Sequence, residues 1–188
     1  WTKAEIEHHA DLLATFGKLN GGAVCGRAQT LVTSKNWPQR REFLDALEVA
    51  IRDETPGFTT WYPNVDKTFA AFREAYPDAK LIQPEGGRIP NSDFLFIEDV
   101  GEDGFAVNNE AFCQIMSEVA LDTPAEAKAF LEKAVEFSNN NLLGTLGACI
   151  LVDEDTLENH RGAVEQAITD LEYGGIAVND MPPAVWLN

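Results

Sequence analysis

The apolar positions of the chain fall into two kinds of rhythm that take turns along its length. Thr2-Lys3-Ala4-Glu5 has the form of a capping box, and Ile6, Leu13 and Phe16 follow at helical spacing until Gly21-Gly22 breaks the pattern. Residues 28–33 predict a strand. A helix entered through Asn36 and Pro38 follows, with Phe43, Leu47, Ala50 and Ile51 on one face and Pro56-Gly57 at its end. A further helix is predicted from about 65 to 75, stopped by Pro77, and a short strand over 79–83 leads into a loop that holds Pro84, Gly86, Gly87 and Pro90.

The second half repeats the alternation. Residues 93–100 predict a strand, 101–109 a polar turn, and 112–121 a strand whose apolar and polar positions alternate. Thr123-Pro124-Ala125-Glu126 repeats the capping-box form and opens a helix through Ala127, Phe130, Leu131, Ala134 and Phe137. Residues 146–153 are apolar enough for a strand covered on both faces. Leu157, Val164, Ile168 and Leu171 mark one last long helix, and Gly174-Gly175 releases the chain into a closing strand at 176–179. Helix and strand in alternation imply a mostly parallel sheet between two helical layers, a single α/β domain of the three-layer α/β/α kind.

Composition narrows the function. The chain has 188 residues, of which 45% are hydrophobic, so it can bury a core. Its 31 acidic and 14 basic residues give a net charge of −17, which argues against nucleic acid and anionic membranes, because both are held by clustered Lys and Arg. No run approaches the roughly 20 apolar residues of a membrane helix, and the first residues lack the order of a secretory signal. The expectation is a soluble cytoplasmic protein, processed or excised from something longer since it begins at Trp1.

Three cysteines, at 25, 113 and 149, form no CxxC and suit a reducing compartment. His8 and His9 point about 100° apart on a helix and cannot easily share a metal, so an exposed helix face is expected of them and no metal site is expected. Free cysteines are ordinarily buried and inert. Cys149, inside an apolar strand, fits that description. Cys113 beside a strand start fits either description, and Cys25, in a turn between helix and strand, is placed to face a crevice. Glu110 lies just before an apolar strand, where a carboxylate faces either solvent or a ligand at the strand edge. No G-x-S-x-G elbow, Walker loop or G-x-G-x-x-G after a strand is present.

Four segments together resemble the aldehyde dehydrogenase superfamily. Asn20-Gly21-Gly22-Ala23-Val24-Cys25 resembles its nucleophile motif, and Glu110-Ala111-Phe112-Cys113 is similar to its Glu-x-Phe-Gly-Pro segment. Ser138-Asn139 with Gly144-Thr145-Leu146-Gly147-Ala148, and Leu171 through Asn179, resemble its two later elements, and Trp61-Tyr62-Pro63 is similar to an element of a less well defined branch. The resemblance spans essentially the whole chain. It departs from the family at Ala23, where glutamine is expected, at Cys113 and Gln114, where glycine and proline are expected, and in the Cys25-to-Glu110 separation of 85 positions, which implies a trimmed loop.

The resemblance implies a catalytic domain in which Cys25 is the nucleophile and Glu110 and Phe112 hold the nicotinamide end of NAD or NADP. It implies oxidation of an aldehyde through a thiohemiacetal and a thioester, in a larger homo-oligomeric protein. The adenine-nucleotide-binding half, the oxyanion asparagine and the general-base glutamate are then expected before Trp1, and the oligomerisation strand after Asn188, leaving these 188 residues inactive alone. Two alternatives stand beside it: an acylating reductase of the same superfamily that uses coenzyme A or an acyl phosphate, and a non-catalytic α/β assembly or binding domain. Met181 and Trp186 are expected at an apolar entrance.

Overall fold

The structure is a computed structural model that describes residues 1–54, 58–84 and 92–186; the expected helix stop at Pro56-Gly57 and the glycines of the 84–90 loop lie outside the described residues. Helix α1 (Lys3–Lys18) begins as expected. The Thr2 side chain caps the Glu5 amide, and Glu5 Oε2 accepts from the Thr2 amide at 2.6 Å. Strand β1 (Thr30–Ser34), α2 (Arg40–Val49), α3 (Val65–Ala75), β2 (Lys80–Ile82) and β3 (Phe94–Ile97) follow. The turn expected over 101–109 contains one helical turn, α4 (Phe105–Asn108), before β4 (Ile115–Leu121).

Helix α5 (Ala127–Asn140) does not start on the expected capping box. Its N-cap is Glu126, whose carboxylate accepts from the amides of Lys128 and Ala129 at 3.1 and 2.9 Å. Thr123 is held elsewhere, because its carbonyl accepts from Ser34 Oγ and Asn36 Nδ2 at the end of β1. After β5 (Gly147–Ile150), the single long helix expected from Leu157 to Leu171 is two, α6 (Glu154–Asn159) and α7 (Arg161–Asp170). They meet at His160, whose φ of −123° and ψ of 25° leave the helical region. Strand β6 (Gly175–Val178) and a last turn, α8 (Pro182–Val185), close the described chain.

The strands form two sheets where one was expected. Four lie in the order β1-β4-β3-β2, with β1 and β3 parallel to β4 and β2 antiparallel to β3; β5 and β6 form a separate parallel pair. The layers are as expected. Along β3, Phe94 and Phe96 pack with α1 and α2 on one face, while Leu95 and Ile97 pack with Phe72 of α3 and Phe137 of α5 on the other. All seven residues of β4 are buried, so its alternating pattern marks two covered faces. Conversely β5 is only partly buried, because one of its edges faces a cleft.

A charged cluster sits in this core. Glu118 of β4 is fully buried and takes Arg40 Nε and Nη2 at 2.9 and 2.8 Å, the Asp99 amide at 3.1 Å and the Thr33 hydroxyl. These partners share its charge from α2, β1 and the bend that follows β3, as a buried carboxylate requires. His9, expected on an exposed face, is buried instead, its ring tilted against Trp1 at a centroid distance of 4.9 Å, and Met181 is a core residue rather than part of an entrance.

Candidate active site

Between α1 and β1 the chain makes a tight loop whose path depends on two missing side chains. Gly21 and Gly22 have φ of +67° and +78°, and a β-carbon on either would overlap backbone: the Thr59 carbonyl for Gly21, the Cys113 carbonyl for Gly22. Asn20 Nδ2 donates to the Ala23 carbonyl at 3.0 Å, and Trp61 Nε1 donates to both Asn20 oxygens at 3.1 Å. The Trp61-Tyr62-Pro63 element is therefore tied to the same loop. A turn closed by the Arg27 amide on the Val24 carbonyl then presents Cys25.

Of the three cysteines, Cys25 alone is exposed. Burial pushes the Cys113 thiol up to about 11, with the charge of Arg27 opposing the shift. Burial also pushes Cys149 up to about 12, and its Sγ donates to the Asp180 carbonyl at 2.7 Å. Neither forms a thiolate readily near neutral pH, and the thiolate is the reactive form.

The 109–114 segment approaches this turn from the start of β4. Gln29 clamps it: Gln29 Nε2 donates to the Asn109 carbonyl at 2.8 Å, and its Oε1 accepts from the Ala111 amide at 2.7 Å. Glu110, exposed between these two anchors, makes no hydrogen bond with the described residues. Phe112 has a φ of +45°, a strained conformation for an aromatic residue, and its ring meets Tyr62 edge-on at 4.7 Å. Gln114, where proline was expected, is fully buried and donates to Thr60 Oγ1 at 3.1 Å.

Cys25, Glu110 and Phe112 line one cleft of about 790 Å³, which runs between the free edge of β1 and the edge of β5. Its walls include Phe130 and Leu131 of α5, and Leu146 and Ala148 from the segment singled out in the sequence. Trp186, 44% exposed, lies against Gly26 beside the cysteine. Arg27 and Gln29 were missed in the sequence, where one polar residue near a strand start carries no signal. Among the described residues no group of three or more His, Cys, Asp or Glu is placed to hold a metal, and no helix is long and apolar enough to cross a membrane.

No protein-family model and no curated protein matches the chain. Solved structures do. The fold superposes on proline utilization A from Bdellovibrio bacteriovorus inactivated by N-propargylglycine with a TM-score of 0.71 and 17% identity, over 94% of this chain and 18% of that one. It superposes equally on betaine aldehyde dehydrogenase from Staphylococcus aureus in complex with NAD+, at 14% identity over 94% of this chain and 35% of that one. NADP-dependent glyceraldehyde-3-phosphate dehydrogenase from Bacillus halodurans, complexed with NADP, gives a TM-score of 0.71 at 13% identity over 94% and 36%. The chain thus spans about a third or less of these proteins, and within that span it has the fold of an aldehyde dehydrogenase.

Proposed function

We propose that the chain is the cysteine-bearing domain of an aldehyde-oxidising dehydrogenase, with Cys25 as nucleophile, and that the adenine-nucleotide-binding half lies outside these residues. The observation that supports it most directly is that Glu110 and Phe112, at least 85 positions beyond Cys25, line one cleft with it. Cys25 Sγ, as thiolate, adds to the aldehyde carbonyl carbon and forms a thiohemiacetal; loss of hydride from that carbon to a nicotinamide acceptor would leave a thioester, which water hydrolyses to the acid and the free Cys25 thiol. An exposed turn gives the sulfur access to both aldehyde and water.

The Glu110 carboxylate fits a pair of ribose hydroxyls, since none of its acceptor positions is spent on a hydrogen bond within the described chain. The Phe112 ring, braced by Tyr62, offers a flat apolar wall. These two residues would hold the nicotinamide end of NAD or NADP, which when bound supplies the hydride acceptor. Gln29 fixes the backbone on both sides of Glu110 and so sets the position of its carboxylate.

The test is aldehyde-dependent NAD(P)H formation by the protein that contains the adenine-binding half, in wild type and Cys25→Ala. Turnover in the wild type and none in Cys25→Ala is expected. Absence of turnover across aldehyde chain lengths, or equal turnover in both, would overturn the proposal.

A further inference from the structure

Arg27 stands two residues beyond Cys25, within about 7 Å along the backbone, and its guanidinium is enclosed by protein. Nη1 donates to the Ile115 carbonyl at 2.9 Å and more weakly to the Ala28 carbonyl at 3.4 Å. Nη2 is buried and has no hydrogen-bond partner, and no carboxylate forms an ion pair with Arg27 among the described residues. A buried cation with neutral partners and an orphaned donor is costly. The charge of Glu110 reaches Arg27 without touching it, whereas Arg40, bonded directly to Glu118, shows what this chain does when a buried arginine is structural.

The surroundings add a second argument. Arg27 is the sole arginine or lysine among the described residues of the cleft wall, which also carries Glu110, Glu126 and Asp153. In a chain of net charge −17, an anion entering this cleft meets one arginine among the described residues of its wall, two positions along the chain from Cys25.

We propose that Arg27 is the counter-ion for a carboxylate or phosphate group carried by the substrate, so that the aldehyde delivered to Cys25 belongs to an anionic class, such as a semialdehyde acid or a phosphorylated aldehyde. The incoming anion takes the open hydrogen-bond position at Nη2, which a rotation of the Arg27 side chain within the cleft wall would uncover. The proposal rests on Cys25 being the reactive cysteine, and it sharpens substrate class only.

The test compares alkylation of Cys25 by iodoacetate and iodoacetamide, two reagents of similar size and opposite demand on Arg27, with labelled peptides identified by mass spectrometry. In both reagents Cys25 Sγ displaces iodide, so the ratio of the two rates isolates the charge effect from thiol reactivity. Arg27→Gln is expected to lower the iodoacetate-to-iodoacetamide ratio by about tenfold, and Arg27→Lys to restore part of it. An unchanged ratio in a folded Arg27→Gln protein overturns the proposal. Should Arg27→Gln fail to fold, wild-type protein decides: succinate slowing iodoacetamide labelling of Cys25, with succinamide inert, supports the anion site, and equal effects of the two overturn it. Loss of the dehydrogenase reading would appear instead as absent turnover with the alkylation preference intact.

Discussion

Gln29→Leu removes both ends of the clamp on Glu110 while keeping the side chain close to its original volume. Two hydrogen bonds of about 0.5–1.5 kcal/mol each are lost, and the Ala111 amide, on a residue only 4% exposed, is left without its acceptor. A net local cost of about 2 kcal/mol follows, which converts to roughly a 30-fold rise in the open population of the 109–111 backbone. The assay is amide hydrogen exchange at Ala111, with the amides of β4 as internal reference. Gln29→Glu separates the two bonds, since it still accepts from Ala111 but offers no donor to Asn109, and it is expected to lose about half the protection energy. If the proposed function holds, Gln29→Leu in the longer protein is expected to raise the nicotinamide-nucleotide KM with little effect on alkylation of Cys25. Unchanged Ala111 protection in Gln29→Leu, with β4 protection also unchanged, would refute the claim that Gln29 positions Glu110.

Two further outcomes are expected of the charged core. Glu118→Gln leaves Arg40 facing only the exposed Asp99, and urea unfolding is expected to show a loss of about 3–5 kcal/mol, the usual cost of breaking a buried pair from one side; a loss near zero would show that solvent reaches the cluster. Glu98 bonds Arg41 and Lys80, and the Arg41 hydrogen bonds first of all hold its carboxyl down to about 2 against an ordinary 4.5. Its contribution is therefore complete above about pH 4.5 and is lost as pH falls toward 2, so Glu98→Gln is expected to flatten the acid limb of a stability-versus-pH curve in that window and leave its neutral limb parallel to wild type.

Local signals proved legible wherever the physics is local. The Thr2-Glu5 capping box and the Pro77 stop place α1 and α3 because each is decided by bonds and clashes within a few residues. Thr123 has the same local form, yet its carbonyl is claimed by Ser34 and Asn36 from another element, so the helix starts at Glu126. His9 is buried by Trp1, a neighbour that helical periodicity places off the helix altogether. The division into two sheets, and hence the cleft, arises from which strand edges pair, and hydrophobic pattern describes faces rather than edges. Cys25 and Glu110 are reached through resemblance, because a separation of 85 positions leaves no spacing rule to connect them. Arg27 and Gln29 needed coordinates, since a single guanidinium or amide has no period.

The two absent β-carbons at Gly21 and Gly22 also set the place of Cys25 independently of which side chain stands at Ala23. The loop is seated by main chain against main chain, with the Ala23 amide and carbonyl both spent on Asn20, so its address is set by what residues 20–22 lack or bond rather than by the chemistry carried at 23 and 24. Those two positions are thereby available as a tuning site, where the polarity around the thiol can be rewritten without moving it.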